Sequence, residues 1–208
     1  ESDAAENGFR YFGRAATPLH RAAGEYGRGE VFLAEYRWEE ALAAYAESRT
    51  LYDALGDKRS AAACLRQMSR AEISKGDNER GLAYVRQSLA ACEEAGDSVG
   101  RAMALNNMGI AMGSLGRYGE ALEAFGESLR AMEALGDIEG AGQAWNNIGR
   151  VHYFLADYPR AIESYRRGME IAEKLDDPSG AAILWMNEGI VHGDIADYSK
   201  AIECFRKS

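Results

Sequence analysis

The sequence predicts an all-α protein, a stack of antiparallel helix pairs, and three observations lead to this prediction. The 208 residues repeat themselves with a period of 40 residues. Within each repeat the apolar residues recur at the spacing of an amphipathic helix, in two runs separated by short breaks. No stretch alternates apolar and polar residues as a half-buried strand does. Self-similarity of this kind is typical of a helical repeat protein.

The repeat boundaries follow from columns of equivalent residues that keep their register without gaps. Asp57, Asp97, Asp137 and Asp177 form one such column, and each follows a glycine or an aspartate. The predicted organisation is one continuous solenoid domain, in which residues 1–20 form a partial preceding repeat or an N-terminal cap. Five repeats follow at 21–60, 61–100, 101–140, 141–180 and 181–208, of which the second is degenerate and the last is truncated.

The third repeat illustrates how each helix is predicted. An apolar stripe at i, i+3, i+7 and i+10 starts at Leu105 and predicts the first helix, which ends at the Gly116-Arg117 step. A second stripe predicts a helix over residues 118–135. Gly136 should end it, because glycine adopts the left-handed conformation that closes helices. Asp137 is then expected to cap the next helix or to hold a turn.

A column of glycines lies inside the first helices, where glycine costs about 1 kcal/mol relative to alanine. We expect a neighbouring helix to exclude a side chain there, with a column of alanines making the close contact and a column of aromatic residues filling the space beside it. The second repeat has Ser69 in place of the glycine and Gly81 in place of the alanine, so looser packing is expected there. The glycines are Gly29, Gly109, Gly149 and Gly189, and the alanines are Ala41, Ala121, Ala161 and Ala201.

The spacing of Gly149, Ala161 and Tyr165, which the third repeat shares, resembles the tetratricopeptide repeat. The 40-residue period is similar to the long-helix variety found in kinesin light chains and in bacterial signalling proteins. The resemblance covers residues 21–208. It implies a right-handed superhelical solenoid in which the first helices of the repeats line the concave face. His152 and His192 stand where the family usually has tyrosine.

Composition and charge disfavour several classes of function. The formal net charge is −9, whereas phosphate binding needs clustered Lys and Arg, so nucleic-acid binding is not expected. No apolar run reaches the roughly 18 residues of a membrane span, and no helix has a basic face for a membrane surface. Cys64, Cys92 and Cys204 form neither an even framework nor a CxxC pair, which indicates a reducing, cytoplasmic location. Because the sequence starts at Glu1 and ends within a helical pattern, we expect a fragment of a longer protein.

No catalytic or metal-binding motif is recognisable. The sequence has no HExxH, no GxSxG, no P-loop and no EF-hand loop, so we predict neither enzyme activity nor a cofactor. His152 and His192 lie one period apart on adjacent first helices, but no carboxylate or cysteine at a fitting spacing joins them. Both are therefore interpreted as hydrogen-bonded or half-buried histidines, and no metal is predicted. The cysteines are interpreted as small buried apolar residues.

The stripe of each first helix that faces away from the core is poor in charge and rich in amides. The three arginines on it give this stripe a charge of +3 over the second to fourth repeats, in a chain of net charge −9. Asparagine offers a donor and an acceptor to a peptide main chain, and arginine recognises carboxylates. The alternative is a solvated face, or one that holds water between helices. The predicted peptide-binding residues are Arg66, Gln67, Arg70, Asn106, Asn107, Ile110, Asn146, Asn147, Arg150 and Asn187.

The function predicted from this stripe is that of a non-enzymatic scaffold that binds a peptide or an extended, possibly acidic segment of a protein. Five first helices at roughly 9–10 Å spacing would make a groove of about 40 Å, which accommodates about twelve extended residues. The alternative is a regulatory or sensory module of a larger signalling protein, such as a cyclase, kinase or transcription regulator. Exposed Ile202 and Phe205 would also allow end-to-end homo-oligomers through the last repeat.

Overall fold

A computed structural model describes residues 17–208, and this part of the chain contains ten helices and no strand. Residues 1–16 of the partial repeat predicted at residues 1–20 lie outside the described residues. The helices are α1 Pro18–Ala34, α2 Trp38–Ala54, α3 Lys58–Lys75, α4 Asn78–Ala95, α5 Ser98–Ser114, α6 Tyr118–Leu135, α7 Ile138–Phe154, α8 Tyr158–Lys174, α9 Pro178–Asp194 and α10 Tyr198–Lys207.

The chain forms two compact units, an N-terminal unit that ends at Ala111 and a C-terminal unit, Met112–Ser208. In the N-terminal unit α1 packs on α2, α2 on α3 and α3 on α4. In the C-terminal unit α6 packs on α7, α7 on α8, α8 on α9 and α9 on α10. Short turns join these neighbours, so consecutive helices are antiparallel. The all-α prediction is confirmed, while the division into 40-residue repeats stays a prediction.

The turns between helices use one left-handed residue each. Gly136 has φ of +72° and ends α6, as the sequence predicts, and Ala156 takes the same conformation with φ of +58°. The aspartate that follows an inter-repeat turn caps the next helix, since a side-chain oxygen of Asp137 accepts the N–H of Gly140 at 2.9 Å. The same cap is made by Asp57, Asp97 and Asp177, and a further set, Asp77, Asp157 and Asp197, caps even-numbered helices.

The glycine column of the first helices is explained by aromatic rings. A Cβ on Gly149 would lie 2.6 Å from the ring of Tyr165 on the next helix, and one on Gly29 would lie 2.5 Å from the ring of Tyr45. The three atoms nearest to each of these Cβ positions belong to a tyrosine ring, so the aromatic column lies directly against the glycines. The close contact with the alanine column stays a prediction.

The degenerate second repeat carries a compensating change in the same place. The residues equivalent to a glycine and its aromatic partner are Ser69 and Val85, and both are fully buried. A larger residue in the column of the first helix thus occurs together with a smaller residue in the column of the second, and neither is exposed to solvent.

The interior contains buried serines and cysteines beside the apolar residues. Ser48 Oγ donates to the carbonyl of Ala22 at 2.8 Å, and Ser88 Oγ, one period later, donates to that of Ala62 at 3.1 Å. All three cysteines are free and buried, which confirms their interpretation. Within residues 17–208, every helix is too short or too polar to cross a lipid bilayer.

Candidate functional site

In the N-terminal unit, the predicted site residues form hydrogen bonds between first helices. Gln67 Nε2 on α3 donates to the hydroxyl of Tyr26 on α1 at 3.0 Å, and Arg70 Nη1 donates to Gln67 Oε1 at 3.3 Å. Asn107 Nδ2 on α5 donates to the main-chain oxygen of Arg66 at 3.3 Å. The stripe is therefore a connected polar surface in which side chains of one helix support the next.

The guanidinium of Arg66 has capacity left for a ligand. Its Nη1 is buried and has no hydrogen-bond partner, a costly condition for a charged group. Arg66 lines a cavity of about 470 Å³ together with Arg59 and the first residues of α5. Arg59 lies 3.8 Å from Asp97, which caps α5, so Arg59 is already partly neutralised while Arg66 is not. The electrostatics of this cavity favour an anionic group.

In the C-terminal unit, an amide pair joins the first helices. Asn187 Nδ2 on α9 donates to Asn146 Oδ1 on α7 at 2.9 Å. An amide has two N–H donors and an oxygen with two lone pairs, so both side chains keep unused hydrogen-bonding capacity. The same face of α9 exposes apolar residues, with exposed fractions of 50% for Ile183, 45% for Met186 and 39% for Ile190. The amide pair is therefore bordered by apolar surface.

A small cavity of about 150 Å³ lies beside this amide pair. Its polar lining residues are Glu139, Gln143, Asn146 and Asp177. Its apolar lining includes Ile183 and Leu184 of α9 and Ile171 of α8. A cavity of this size accommodates one short apolar side chain next to groups that can hydrogen-bond a main chain.

The ten predicted site residues are all at the surface of their units. Arg70 and Arg150 are exposed, and the other eight, Asn106, Asn147 and Ile110 among them, are half-buried. The alternative, a solvated face or one that holds water between helices, stays open, but amide hydrogen bonds also join neighbouring helices directly. These bonds use only part of each amide's capacity, so support of the fold and ligand binding are compatible.

A tyrosine–glutamate cluster on the N-terminal unit was not among the predicted site residues. The hydroxyl of buried Tyr45 donates to Glu30 Oε1 at 2.5 Å, and the rings of Tyr26 and Tyr45 meet edge to face. Burial and the hydrogen bond to Glu30 raise the pKa of Tyr45, and burial also raises the pKa of Tyr26. Both hydroxyls are therefore neutral, and the hydroxyl of Tyr45 donates to Glu30 while that of Tyr26 accepts from Gln67. The signal in the sequence was a tyrosine and a glutamate four residues apart on the amide-rich stripe.

Only one of the two histidines agrees with the interpretation given to them. His152 is half-buried as interpreted, but His192 is only 4% exposed, and neither of its ring nitrogens has a hydrogen bond. The repeat spacing predicts no carboxylate or cysteine beside these histidines. The fold nevertheless brings Glu188 and Cys204 to His192, with donor atoms of the three residues within 4.8 Å of one another.

These features define a helical-repeat protein whose odd-numbered helices present amides, arginines and apolar side chains. The model of the tetratricopeptide repeat family matches residues 68–134 and 140–208. The chain belongs to the tetratricopeptide repeat family. The comparison with curated proteins gave no match.

Solved structures share this fold at low sequence identity. BtubC (BKLC) from P. vanneervenii is 18% identical with a TM-score of 0.81, and the match covers 99% of this chain and 86% of that one. The apo form of RapI is 18% identical with a TM-score of 0.82, covering 99% of this chain and 58% of RapI. NprR in complex with its cognate peptide NprX is 16% identical with a TM-score of 0.74, covering 100% of this chain and 61% of NprR. This chain thus spans less than two thirds of RapI and of NprR.

Proposed function

We propose that this chain is a non-enzymatic interaction module that binds an extended peptide segment on the exposed faces of its odd-numbered helices. The observation that carries the proposal is the Asn146–Asn187 amide pair, which borders exposed apolar residues and a cavity of about 150 Å³. Membership of a family of helical repeat scaffolds supports it, and so does the fold shared with NprR, whose structure contains a peptide.

Recognition in the C-terminal unit would divide between main chain and side chain. The free donors and acceptors of Asn146 and Asn187 would hydrogen-bond the peptide backbone. Such contacts position the peptide but do not select its sequence. The cavity beside Ile183 would take one apolar side chain of the peptide. Since the helices are already formed, the receptor loses little conformational entropy on binding.

Recognition in the N-terminal unit would select acidic side chains. Arg66 lines its cavity, one nitrogen of its guanidinium is buried without a hydrogen-bond partner, and Arg70 is exposed on the same helix. A guanidinium forms forked hydrogen bonds to a carboxylate, so a partner with Asp or Glu at this point gains a charge-assisted contact. This is the basis for proposing a partner with an extended, acidic segment.

A display library of linear peptides about twelve residues long tests the proposal. Peptides selected on the 208-residue chain are synthesised, and their affinities are measured by titration calorimetry. Ile183→Lys should weaken binding at least about tenfold, because it places a charge at the apolar edge of the cavity. Ile138→Lys is the matched control, since both isoleucines are 50% exposed and Ile138 lies in the first turn of α7, outside the stripe. Equal affinities of the two variants would contradict the proposed site.

The acidic preference has its own test. Arg66→Glu combined with Arg70→Glu should weaken acidic peptides selectively and leave peptides without Asp or Glu unchanged. Uniform weakening of both groups of peptides would show that the arginines act through the fold rather than by charge recognition. The cytoplasmic location, the regulatory alternative and end-to-end association through Ile202 and Phe205 stay predictions.

A further inference from the structure

We propose that Glu188, His192 and Cys204 form a binding site for a divalent transition metal of the Zn²⁺ class. Glu188 and His192 lie one turn apart on α9, and Cys204 faces them from α10. The residues are 2%, 4% and 4% exposed, and their donor atoms lie within 4.8 Å of one another. Carboxylate oxygen, imidazole nitrogen and thiolate sulfur are the ligands that zinc uses in proteins.

The donor atoms are available because the fold leaves them without partners. Arg166 binds one oxygen of the Glu188 carboxylate, Oε1, at 2.8 Å, while Oε2 is buried with no hydrogen bond. Both ring nitrogens of His192 are likewise buried with no hydrogen bond, and its Nε2 lies 3.5 Å from Glu188 Oε1. Buried polar atoms of this kind are rare and costly, and a bound cation would satisfy the carboxylate and the Nε2 of His192.

The neighbouring charges suit a metal-bound imidazole. Nδ1 of His192 faces Asp197 Oδ2 at 3.8 Å, which leaves Nε2 to point toward Glu188. A carboxylate behind the distal nitrogen is the usual second partner of a metal-bound histidine. Asp197 is itself held in place, since its carboxylate caps α10 and lies 2.9 Å from the ammonium group of Lys200.

The three donors occur together only in the last predicted repeat. One period earlier the equivalent residues are Ile148, His152 and Ser164, and two periods earlier they are Met108, Met112 and Ala124. In the third and fourth predicted repeats the equivalents of Glu188 and Cys204 are apolar or small residues. The last repeat adds a carboxylate and a thiol to the histidine that the fourth repeat already has, and packing alone does not require this combination.

The geometry leaves room for a fourth ligand. Donors around a tetrahedral zinc ion lie about 3.3–3.8 Å apart, so a bound ion would draw these three together by roughly 1 Å. A cavity of about 470 Å³ opens beside them, and Trp185 and Lys207 line it. Three protein ligands and an open position filled by water are expected, because no fourth donor of the described residues joins the group.

Metal titration of the 208-residue chain tests the proposal directly. Co²⁺ should bind at one equivalent and give the d–d bands of tetrahedral coordination together with a cobalt–thiolate charge-transfer band, and Zn²⁺ should displace it. Cys204→Ala should abolish the charge-transfer band and weaken Zn²⁺ binding by more than about 100-fold, a larger effect than the loss of an outer partner. Alanine occupies the equivalent position 124, so this variant should fold, and its far-ultraviolet circular dichroism verifies that.

Two matched controls separate this site from adventitious binding. Cys64→Ala removes an equally buried thiol from the N-terminal unit, and His152→Met changes the equivalent histidine of the preceding repeat. Both variants should bind Co²⁺ as the parent chain does, whereas His192→Met should not. Absence of the charge-transfer band in the parent chain, or its persistence in Cys204→Ala, would overturn the proposal.

Discussion

Replacing Gly149 by alanine tests the contact that defines the packing of each helix pair. A methyl group at this position would lie 2.6, 2.7 and 3.1 Å from three ring carbons of Tyr165. Ordinary carbon–carbon contacts are about 3.5–4.0 Å, so the ring must move by roughly 1 Å. Tyr165 is only 2% exposed and is packed against Met169 and Val191 in the core, so it has little room to move.

The magnitude follows from two opposing effects. Overpacking a core costs about 1–3 kcal/mol, and three ring atoms in conflict place this site in the upper half of that range. Alanine is favoured over glycine inside a helix by about 1 kcal/mol. The net expectation for Gly149→Ala is a decrease of about 1–2 kcal/mol in the free energy of unfolding.

The matched control is Gly126→Ala on α6. A methyl group on Gly126 would meet only the flexible end of Arg130, at 3.5 Å. Here the helix preference acts alone, so the free energy of unfolding should rise by about 1 kcal/mol. Urea unfolding followed by circular dichroism measures both variants, with the slope against urea checked for constancy. If Gly149→Ala raised the midpoint as Gly126→Ala does, the explanation of the glycine column would be refuted.

A double variant tests whether residues 149 and 165 are energetically coupled. Tyr165→Val alone opens a cavity and should cost about 3 kcal/mol or more. Combined with Gly149→Ala, it approaches the pair that the second repeat has, Ser69 and Val85. The two changes should therefore be less destabilising together than the sum of their separate effects, by at least about 1 kcal/mol. Simple additivity would mean that the ring and the glycine are not coupled.

Three further predictions concern turns, buried serines and pH. Ala156→Gly should raise the free energy of unfolding by about 0.5–1 kcal/mol in urea titrations, because a left-handed φ of +58° strains alanine by more than glycine loses in entropy. Ser88→Ala should lower it by about 1 kcal/mol, since it removes the bond to the Ala62 carbonyl, and an unchanged midpoint would contradict this. The hydrogen bond from the N–H of Ser60 lowers the pKa of Asp57 below its ordinary 3.8. The ionised carboxylate therefore stabilises the fold fully at pH values above its ordinary pKa, and this stabilisation is lost as the pH falls through the lower pKa of the folded state. Asp57→Asn keeps the helix cap, because an asparagine side chain also accepts a hydrogen bond. The free energy of unfolding of this variant should therefore fall less at acid pH than that of the parent chain.

Most of the fold could be predicted from the sequence because the signals that begin and end each helix recur in every repeat. The apolar stripes, the left-handed glycine at 136 and the cap at Asp137 all act within a few residues. The distance between the glycine column and the aromatic rings could not be predicted in this way. Ala161 and Tyr165 are one turn apart on α8, and only the structure shows that the ring of Tyr165 supplies the three atoms nearest to a Cβ on Gly149.

The surface position of the candidate site could be predicted from the sequence, but the hydrogen bonds between its residues could not. Columns at a period of 40 placed the amides and arginines away from the core, and the structure agrees. The hydrogen bonds between first helices, however, join residues 41 apart, as in Asn146 with Asn187 and in Gln67 with Tyr26. Neighbouring helices contact each other with this offset of one residue, which a comparison of equivalent columns does not reveal.

Two donors of the proposed metal site, Glu188 and Cys204, lie in columns where the third and fourth repeats have apolar or small residues, so the repeat spacing did not connect them with His192. Glu188 stands in a column with Met108 and Ile148, where its carboxylate has no role in packing. A buried carboxylate costs free energy unless it is satisfied, and Arg166, which is 60% exposed, satisfies only one of its oxygens. Departures from a repeat that are costly to the fold are expected where function requires them. The peptide proposal is carried by Asn146, Asn187 and Ile183, whereas the metal proposal is carried by Glu188, His192 and Cys204. The two proposals use different side chains, so either can fail without the other.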